Sequence, residues 1–164
     1  QLEQNEIELH ELQQYTRVNS IEIRGVPLQP NESVPSMLQQ MASYLKVPLS
    51  LDDIDAAHRV PTFEPEKSNI VCKFISRAKK ESILRAAKST RPTVAAFGLQ
   101  GNDPVFVNDH LSLYYRKLLS QAIQKKRQCG WRYVWVNRGS IFARKADGTK
   151  VIPIKTNSDL AHIH

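Results

Sequence analysis

The chain has 164 residues and a formal net charge of +7, with 41% hydrophobic and 24% charged residues. That length suffices for one ordinary hydrophobic core or two small ones, and the composition excludes a wholly disordered chain. Two cysteines, Cys72 and Cys129, exclude a disulfide framework and fit a reducing compartment. The sequence holds no apolar run of about 18 residues, so no membrane partner is predicted.

Residues 1–16 are predicted to form a helix with a heptad seam. Its seam positions follow spacings of three and four residues, as in Leu2, Asn5, Leu9, Leu12 and Thr16. Glutamates fill most outer positions, which is the a/d pattern of a coiled coil. The alternative is a surface helix packed on its own domain, because two heptads are few. The seam residues do not distinguish a dimer from a trimer.

Charge is divided unevenly along the chain. Residues 1–60 carry four Lys or Arg against nine Asp or Glu (net −5), and residues 61–164 carry 19 against seven (net +12). A basic part behind an acidic, amphipathic start predicts a polyanion-binding body on an oligomerising helix.

Hydrophobic periodicity in residues 18–110 predicts a strand-helix-strand-strand-helix-strand order. The predicted elements are a strand around Ile21 and Ile23, a helix over 33–46, strands over 54–60 and 69–75, a helix over 76–88 and a strand over 105–107. This is the order of a ferredoxin-like α+β fold, in which a four-stranded antiparallel sheet packs on two helices. The RNA recognition motif uses the same arrangement.

The outward face of this predicted sheet has few aromatic residues. Its first strand offers Ile21 and Ile23, and its third offers Asn69, Val71 and Lys73, with Phe74 on the inner face. RNA recognition motifs of the common type stack bases on aromatics at these strands. The sequence therefore predicts phosphate contact, for instance by Lys73, in place of base stacking.

Residues 111–164 are predicted to form a small, basic α/β domain. A helix is expected from about Ser112 to Gln128, followed by three short antiparallel strands over 133–136, 140–145 and 151–154. Residues 112–157 carry eleven Lys or Arg and a single acid, Asp147. Basic residues interleaved with aromatics suit single-stranded nucleic acid, since cations contact phosphates and rings stack on bases. Candidate ligands from this pattern are Arg116, Lys117, Arg132 and Tyr133, with Trp131 or Tyr133 as a base-stacking ring.

Several segments resemble the first open-reading-frame protein of LINE-type retrotransposons. "YTRVNSIEIRGVP" (15–27) resembles the junction of its coiled coil and RNA recognition motif, and "IDAAHRVP" (54–61) with "NIVCKFISRAKKESILRAAK" (69–88) resembles later parts of that motif. "VFVNDHLSLYYRKLLSQAIQKKR" (105–127) and "YVWVNRGSIFARKADGTKVIPI" (133–154) resemble the C-terminal domain that these proteins share with the baculovirus FP protein.

The resemblance implies a three-part organisation: a coiled-coil helix over 1–17, an RNA-recognition-motif-like domain over 18–110 and a C-terminal domain over 111–164. It implies a homotrimer that binds single-stranded RNA or DNA in a basic cleft between the two globular domains. It also implies nucleic-acid chaperone activity within a retrotransposon ribonucleoprotein, in the cytoplasm, the nucleus or both. The positions that match the binding residues of the family are Arg24, His58, Arg59, Arg138, Arg144 and Lys145.

The sequence favours a binding protein over an enzyme. It contains no paired-carboxylate motif, no Gly-rich phosphate loop, no GxSxG and no HExxH. We therefore expect no catalytic residues, no metal site and no cofactor. The alternative function, allowed by the FP resemblance, is a structural or adaptor protein that acts through protein–protein contacts in viral or nuclear assembly.

Overall fold

A computed structural model describes residues 2–164 of the chain, without the side chain of Lys67. The described chain is a mixed α+β protein with helices and two antiparallel sheets, one of four strands and one of three. The predicted α+β class is therefore confirmed. The chain divides into two compact units: the central unit, residues 19–110, and the C-terminal unit, residues 2–18 with 111–164.

The elements begin and end close to the positions that the periodicity predicts. In chain order they are α1 (Leu2–Tyr15), β1 (Ser20–Arg24), α2 (Val34–Tyr44), β2 (Ile54–Arg59), β3 (Ile70–Phe74), α3 (Arg77–Thr90), β4 (Phe106–Asp109), α4 (Leu113–Cys129), β5 (Tyr133–Asn137), β6 (Ser140–Arg144) and β7 (Ile152–Ile154). Ser33, Ser76 and Ser112 are the N-caps of α2, α3 and α4, and each side chain accepts a hydrogen bond from the backbone three residues on.

In the central unit the strands lie in the order β2-β3-β1-β4, with every neighbouring pair antiparallel. The inward side chains of these strands, such as Ile21, Cys72 and Val107, join apolar residues of α2 and α3 in one core. Because side chains alternate along a strand, the intervening residues face the other side of the sheet.

A largely buried ion pair, between Arg59 and Glu32, fastens the end of β2 to the loop before α2. The Nε and Nη2 atoms of Arg59 donate to Glu32 at 2.8 and 3.0 Å. The remaining guanidinium hydrogens go to the carbonyls of Val26, Pro27 and Ser68. All five donors of Arg59 are thus used inside the central unit, and its side chain is 13% exposed. The arginine also holds the pKa of Glu32 below the ordinary carboxyl value.

A second ion pair corrects an expectation about α3. The amphipathic pattern places Lys80 on the exposed basic face of that helix, with Arg77, Lys79, Arg85 and Lys88. In the structure Lys80 is 1% exposed. Its Nζ lies 2.6 Å from Oδ1 of Asp109, at the end of β4. An acid 29 positions along the chain compensates the buried ammonium, and local periodicity cannot reveal such a partner.

The C-terminal unit packs α4 on a sheet of order β5-β6-β7. Its core joins residues of α4 such as Leu118 and Ala122 to Ile141 of β6 and Ile154 of β7. Ile163 is completely buried in the same core. The last residues are therefore part of the fold and do not form a loose tail.

Helix α1 packs on this unit through one face. The ring of His10 stacks on Tyr114 with centroids 3.5 Å apart. The backbone N–H of Ser112 donates to Oε1 of Gln14 at 2.8 Å. The Gln14 side chain also lies over Gly139, where an added Cβ would meet its Cγ at 2.8 Å. Gln14 therefore fixes α1 to the start of α4 and to the β5–β6 turn.

The Glu32–Arg59 pair should control acid stability of the central unit. Glu32→Gln leaves the largely buried guanidinium uncompensated, so we expect a loss of about 2 kcal/mol in the free energy of unfolding by denaturant at neutral pH. A folded pKa below the unfolded value means that the contribution of Glu32 is complete above about pH 4.5 and disappears as pH falls through the folded pKa. The free energies of unfolding of the wild type and of Glu32→Gln should therefore become equal in acid.

Glu66→Gln, at an exposed glutamate, is the control and should change the free energy of unfolding by less than about 0.5 kcal/mol. An effect as large as that of Glu32→Gln would contradict the role given to the Glu32–Arg59 pair.

Gly139→Ala should loosen the contact between α1 and the hairpin. Two costs add: positive φ (+79°) and collision with Gln14. Gly148→Ala is the matched control, because its φ is +82° but nothing lies within 4 Å of its Cβ. We expect Gly139→Ala to cost about 1–2 kcal/mol more than Gly148→Ala, with faster amide exchange in α1. Equal costs would show that the Gln14 contact contributes nothing.

Candidate nucleic-acid interface

The β5–β6 hairpin presents a second row of side chains opposite to the core. Val134 and Val136 pack towards the core. Tyr133 and Trp135 alternate with them and pair across the ladder with Arg144 and Phe142. Trp135 and Phe142 stack at 5.8 Å between centroids. The hairpin thus offers an outward surface of rings and a guanidinium, a combination that suits single-stranded nucleic acid.

Asp147 organises one end of this surface. Its Oδ1 accepts the Tyr133 hydroxyl at 2.6 Å, and its Oδ2 lies 3.2 Å from Nη1 of Arg132. The guanidinium of Arg132 also lies over the Tyr133 ring at 5.6 Å. The hydrogen bond to the carboxylate raises the pKa of Tyr133 above its ordinary value. Asp147 neutralises part of the positive potential that Arg132 would otherwise add.

Arg138 occupies the tip of the hairpin in a left-handed conformation. Its φ is +52° and that of Gly139 is +79°, between the paired residues Asn137 and Ser140. Two-residue turns of this kind favour Asn or Gly at the first position, because an L side chain is strained there. No ion pair within residues 2–164 engages the Arg138 guanidinium, which is exposed. The turn therefore carries a strained and available cation.

The other predicted ligands of this unit lie on its surface. Arg144 is half-buried and its Nε donates to the carbonyl of Thr149 at 2.9 Å, while Lys145 is exposed. Arg116 and Lys117 are exposed on α4, where Arg116 donates weakly to the Leu111 carbonyl at 3.5 Å. The β5–β6 hairpin carries Tyr133, Arg138 and Arg144, and Arg132 and Lys145 lie directly beside it. Arg116 and Lys117 lie on α4.

Trp131 differs from its expected role as a stacking ring. It lies before β5, is 6% exposed and belongs to the core of the C-terminal unit. Its Nε1 donates to the carbonyl of His164 at 2.9 Å. The i, i+2 spacing placed Trp131 with Tyr133 on one strand face, but the strand starts only at Tyr133, so the spacing does not apply.

In the central unit, three of the four predicted ligands face outward from the sheet. Arg24, His58 and Lys73 are exposed. Lys73 lies 3.7 Å from Asp55, so part of its charge is already compensated. The fourth, Arg59, has all its donors occupied by Glu32 and three carbonyls, which gives it a structural role and leaves none of its N–H groups for phosphate.

Sequence reasoning missed an exposed aromatic on β4. Phe106 is 51% exposed and pairs with Arg24, whose Cζ lies 5.8 Å from the ring centroid. Alternation in Val105-Phe106-Val107, with both valines buried, was the available signal. The expectation for RNA recognition motifs concerns aromatics on the first and third strands and therefore does not point to the fourth. The Trp135–Phe142 stack was missed for a similar reason, since periodicity does not show which rings pair across a hairpin.

The predicted heptad seam lies on the exposed face of α1, away from residues 111–164 of its own unit. Leu2, Leu9 and Leu12 are 84%, 52% and 62% exposed, and Asn5 and Thr16 are exposed too. The face of α1 that packs on its own unit is a different one, formed by His10 and Gln14. Helix α1 is therefore a surface helix of its unit. Its opposite face carries an apolar stripe (Leu2, Leu9 and Leu12) that no part of residues 2–164 covers.

Over residues 2–164, no helix is both long and apolar enough to span a membrane. In the same range no group of three or more His, Cys, Asp or Glu side chains is placed to hold a metal ion.

Comparison with known proteins gives one family similarity. Residues 112–164, about a third of the chain, match the model of baculovirus FP protein domain 2. No curated protein matches the chain. A solved structure that aligns over 88% of both chains is the regulatory subunit of aspartate kinase from Thermus flavus, at 12% identity and a TM-score of 0.32. That similarity is too weak to support an argument about fold or function, whereas the FP match supports an FP-like C-terminal part.

Proposed function

We propose that the chain binds single-stranded nucleic acid with little sequence preference, mainly through its phosphates. The observation that carries this proposal is the density of cations in residues 112–157, eleven Lys or Arg with one acid. Several of them share the β5–β6 hairpin with outward rings. A sequence-tolerant binder needs cations for phosphates and exposed rings for bases, with few side chains fixed to read base edges.

The central unit supports the same proposal as an RNA-recognition-motif-like domain. Its elements follow the order β1-α2-β2-β3-α3-β4, and its sheet turns Arg24 and Lys73 to solvent. On this proposal the chain acts as a nucleic-acid chaperone that coats RNA in a ribonucleoprotein like that of LINE-type retrotransposons. This part of the proposal rests on the resemblance of residues 15–27, 54–61, 69–88, 105–127 and 133–154 to that family.

Self-association through α1 is part of the proposal. Leu9 and Leu12 present apolar area to water beside acidic neighbours, as in a coiled-coil seam. A trimer is the favoured state and a dimer the alternative. When several chains of one oligomer bind the same nucleic-acid strand, the apparent affinity rises because later contacts form within one complex. Such multivalent binding suits a coating protein.

An alternative function is a structural or adaptor protein that acts through protein–protein contacts. The match of residues 112–164 to baculovirus FP protein domain 2 favours it. The two functions differ in salt response: counterion release makes phosphate binding steeply salt-dependent, whereas an apolar protein contact changes little.

Arg138→Asn should separate binding from folding. Asn tolerates the left-handed turn better than Arg, so the variant should be more stable by about 1 kcal/mol. Removal of the cation should weaken binding to single-stranded RNA about fivefold for every sequence tested. It should also reduce the slope of log affinity against log salt by about 0.7, as expected when one phosphate contact on a single strand is lost.

Lys46→Asn is the matched control for Arg138. Lys46 also has positive φ (+62°), is exposed, and lies in the acidic part of the chain. Its replacement should bring a similar gain in stability with unchanged affinity and slope. Unchanged RNA binding in Arg138→Asn, or an equal loss in both variants, would contradict the assignment of Arg138 as a ligand.

Substitutions in the exposed stripe of α1 should test self-association. We expect light scattering of the wild type at micromolar concentration to give three times the 18.7 kDa of one chain. Leu9→Glu with Leu12→Glu should give one chain, because charges in a seam cannot be buried. Leu51→Glu, at a leucine that is 56% exposed elsewhere, should leave the mass unchanged. A monomeric wild type would exclude this part of the proposal.

A further inference from the structure

Phe106 is an exposed ring in the central unit with positive charge on two sides. It lies on the outward side of β4, an edge strand of the sheet, and the Arg24 guanidinium lies over it at 5.8 Å. An exposed ring can stack on a base while a neighbouring cation contacts a phosphate. Within residues 2–164 no other aromatic ring stacks on Phe106.

A groove of about 310 Å³ adjoins this ring at the edge of the sheet. It runs between β4 and the C-terminal end of α3, where its polar wall is made by Lys88, Arg91 and Asn108. None of its lining residues is Asp or Glu. Its volume lies at the lower end of small-ligand sites, and it is open on one side, which suits one unit of a longer strand.

Helix chemistry gives only a partial reason for these two cations. Lys88 lies in the last turn of α3, where its positive charge interacts favourably with the negative end of the helix dipole. Arg91 is the C-cap with φ of +54°, a position where Gly or Asn is less strained. Its backbone N–H closes the helix on the Ala87 carbonyl, and any residue except proline supplies that bond. The guanidinium of Arg91 is thus not needed for the cap.

We propose that Phe106, Arg24, Lys88 and Arg91 form a nucleotide subsite, in which a base stacks on the Phe106 ring and an adjoining phosphate lies in the groove against Lys88 and Arg91. The proposal deepens the proposed function and rests on it. A nucleotide is the occupant that the surface fits, because it carries a flat π face beside a negative charge.

The groove sets the direction of the strand at this site. Because its lining holds Lys88 and Arg91 and no acid, it attracts the phosphate to the helix side of β4, while the base lies on the ring. This differs from base stacking in the middle of the sheet, where this chain has no outward aromatic on β1 or β3.

The test compares two oligonucleotides of equal length, a uridine homopolymer and an abasic sugar–phosphate strand. Wild type should prefer the base-bearing strand. Phe106→Ala should weaken binding to that strand about tenfold and binding to the abasic strand less than twofold, with an unchanged salt slope because no charge is lost. Arg91→Asn should do the reverse: keep the preference for bases and reduce the slope by about 0.7.

Controls separate the subsite from folding and from the wider function. Phe106→Tyr keeps the ring and should bind as the wild type does. Phe63→Ala removes a ring that is fully exposed and lies outside the proposed subsite, and it should change nothing. Thermal unfolding of each variant checks that the fold is intact.

Two results would exclude the subsite while leaving phosphate binding in place. In the first, folded Phe106→Ala keeps the wild-type preference for the base-bearing strand; in the second, Phe106→Tyr binds that strand as weakly as Phe106→Ala. If the wild type binds neither strand, the proposed function fails as well.

Discussion

Repulsion among cations is the constraint on which the surface of the C-terminal unit depends. Eleven basic residues and one acid within residues 112–157 raise the free energy of any compact arrangement. The core formed by Leu118, Ile141 and Ile154 holds the unit together against this repulsion. The cations lie on α4 and in the turns and loops, and only Arg144 lies within a strand. A polyanion would relieve the repulsion, so on our proposal ligand binding should stabilise this unit.

Alternation along strands decides which side chains face outward in each unit. In β5 the valines pack towards the core while Tyr133 and Trp135 lie opposite, and in β1 and β4 the same rule exposes Arg24 and Phe106. Strand alternation thus places Arg144 beside Tyr133 and Arg24 beside Phe106, while Arg138 comes from the β5–β6 turn. Asp147, the single acid within residues 112–157, is held between Arg132 and Tyr133. From outside that range, Glu11 of α1 lies 3.5 Å from Lys155.

Local patterns predicted the elements well and the long-range partners poorly. The serine caps and the hydrophobic periods locate every helix and strand to within a few residues, because these signals act within one turn or one pleat. Arg59 reads as a free cation until Glu32, 27 positions earlier, is placed beside it. Lys80 and Asp109 behave in the same way. Such pairings depend on tertiary geometry, and for Phe106 the cation over the ring comes from another strand.

The central claim is that the chain binds nucleic acid mainly through contacts to phosphates. Binding of the unmodified chain to a single-stranded homopolymer, measured over a range of monovalent salt, tests it with one titration. The account predicts that log affinity falls linearly with log salt, with a slope several times that of one contact, and that homopolymers of different bases give similar slopes. An affinity that stays constant across the same range of salt, or no binding at low salt, would contradict it.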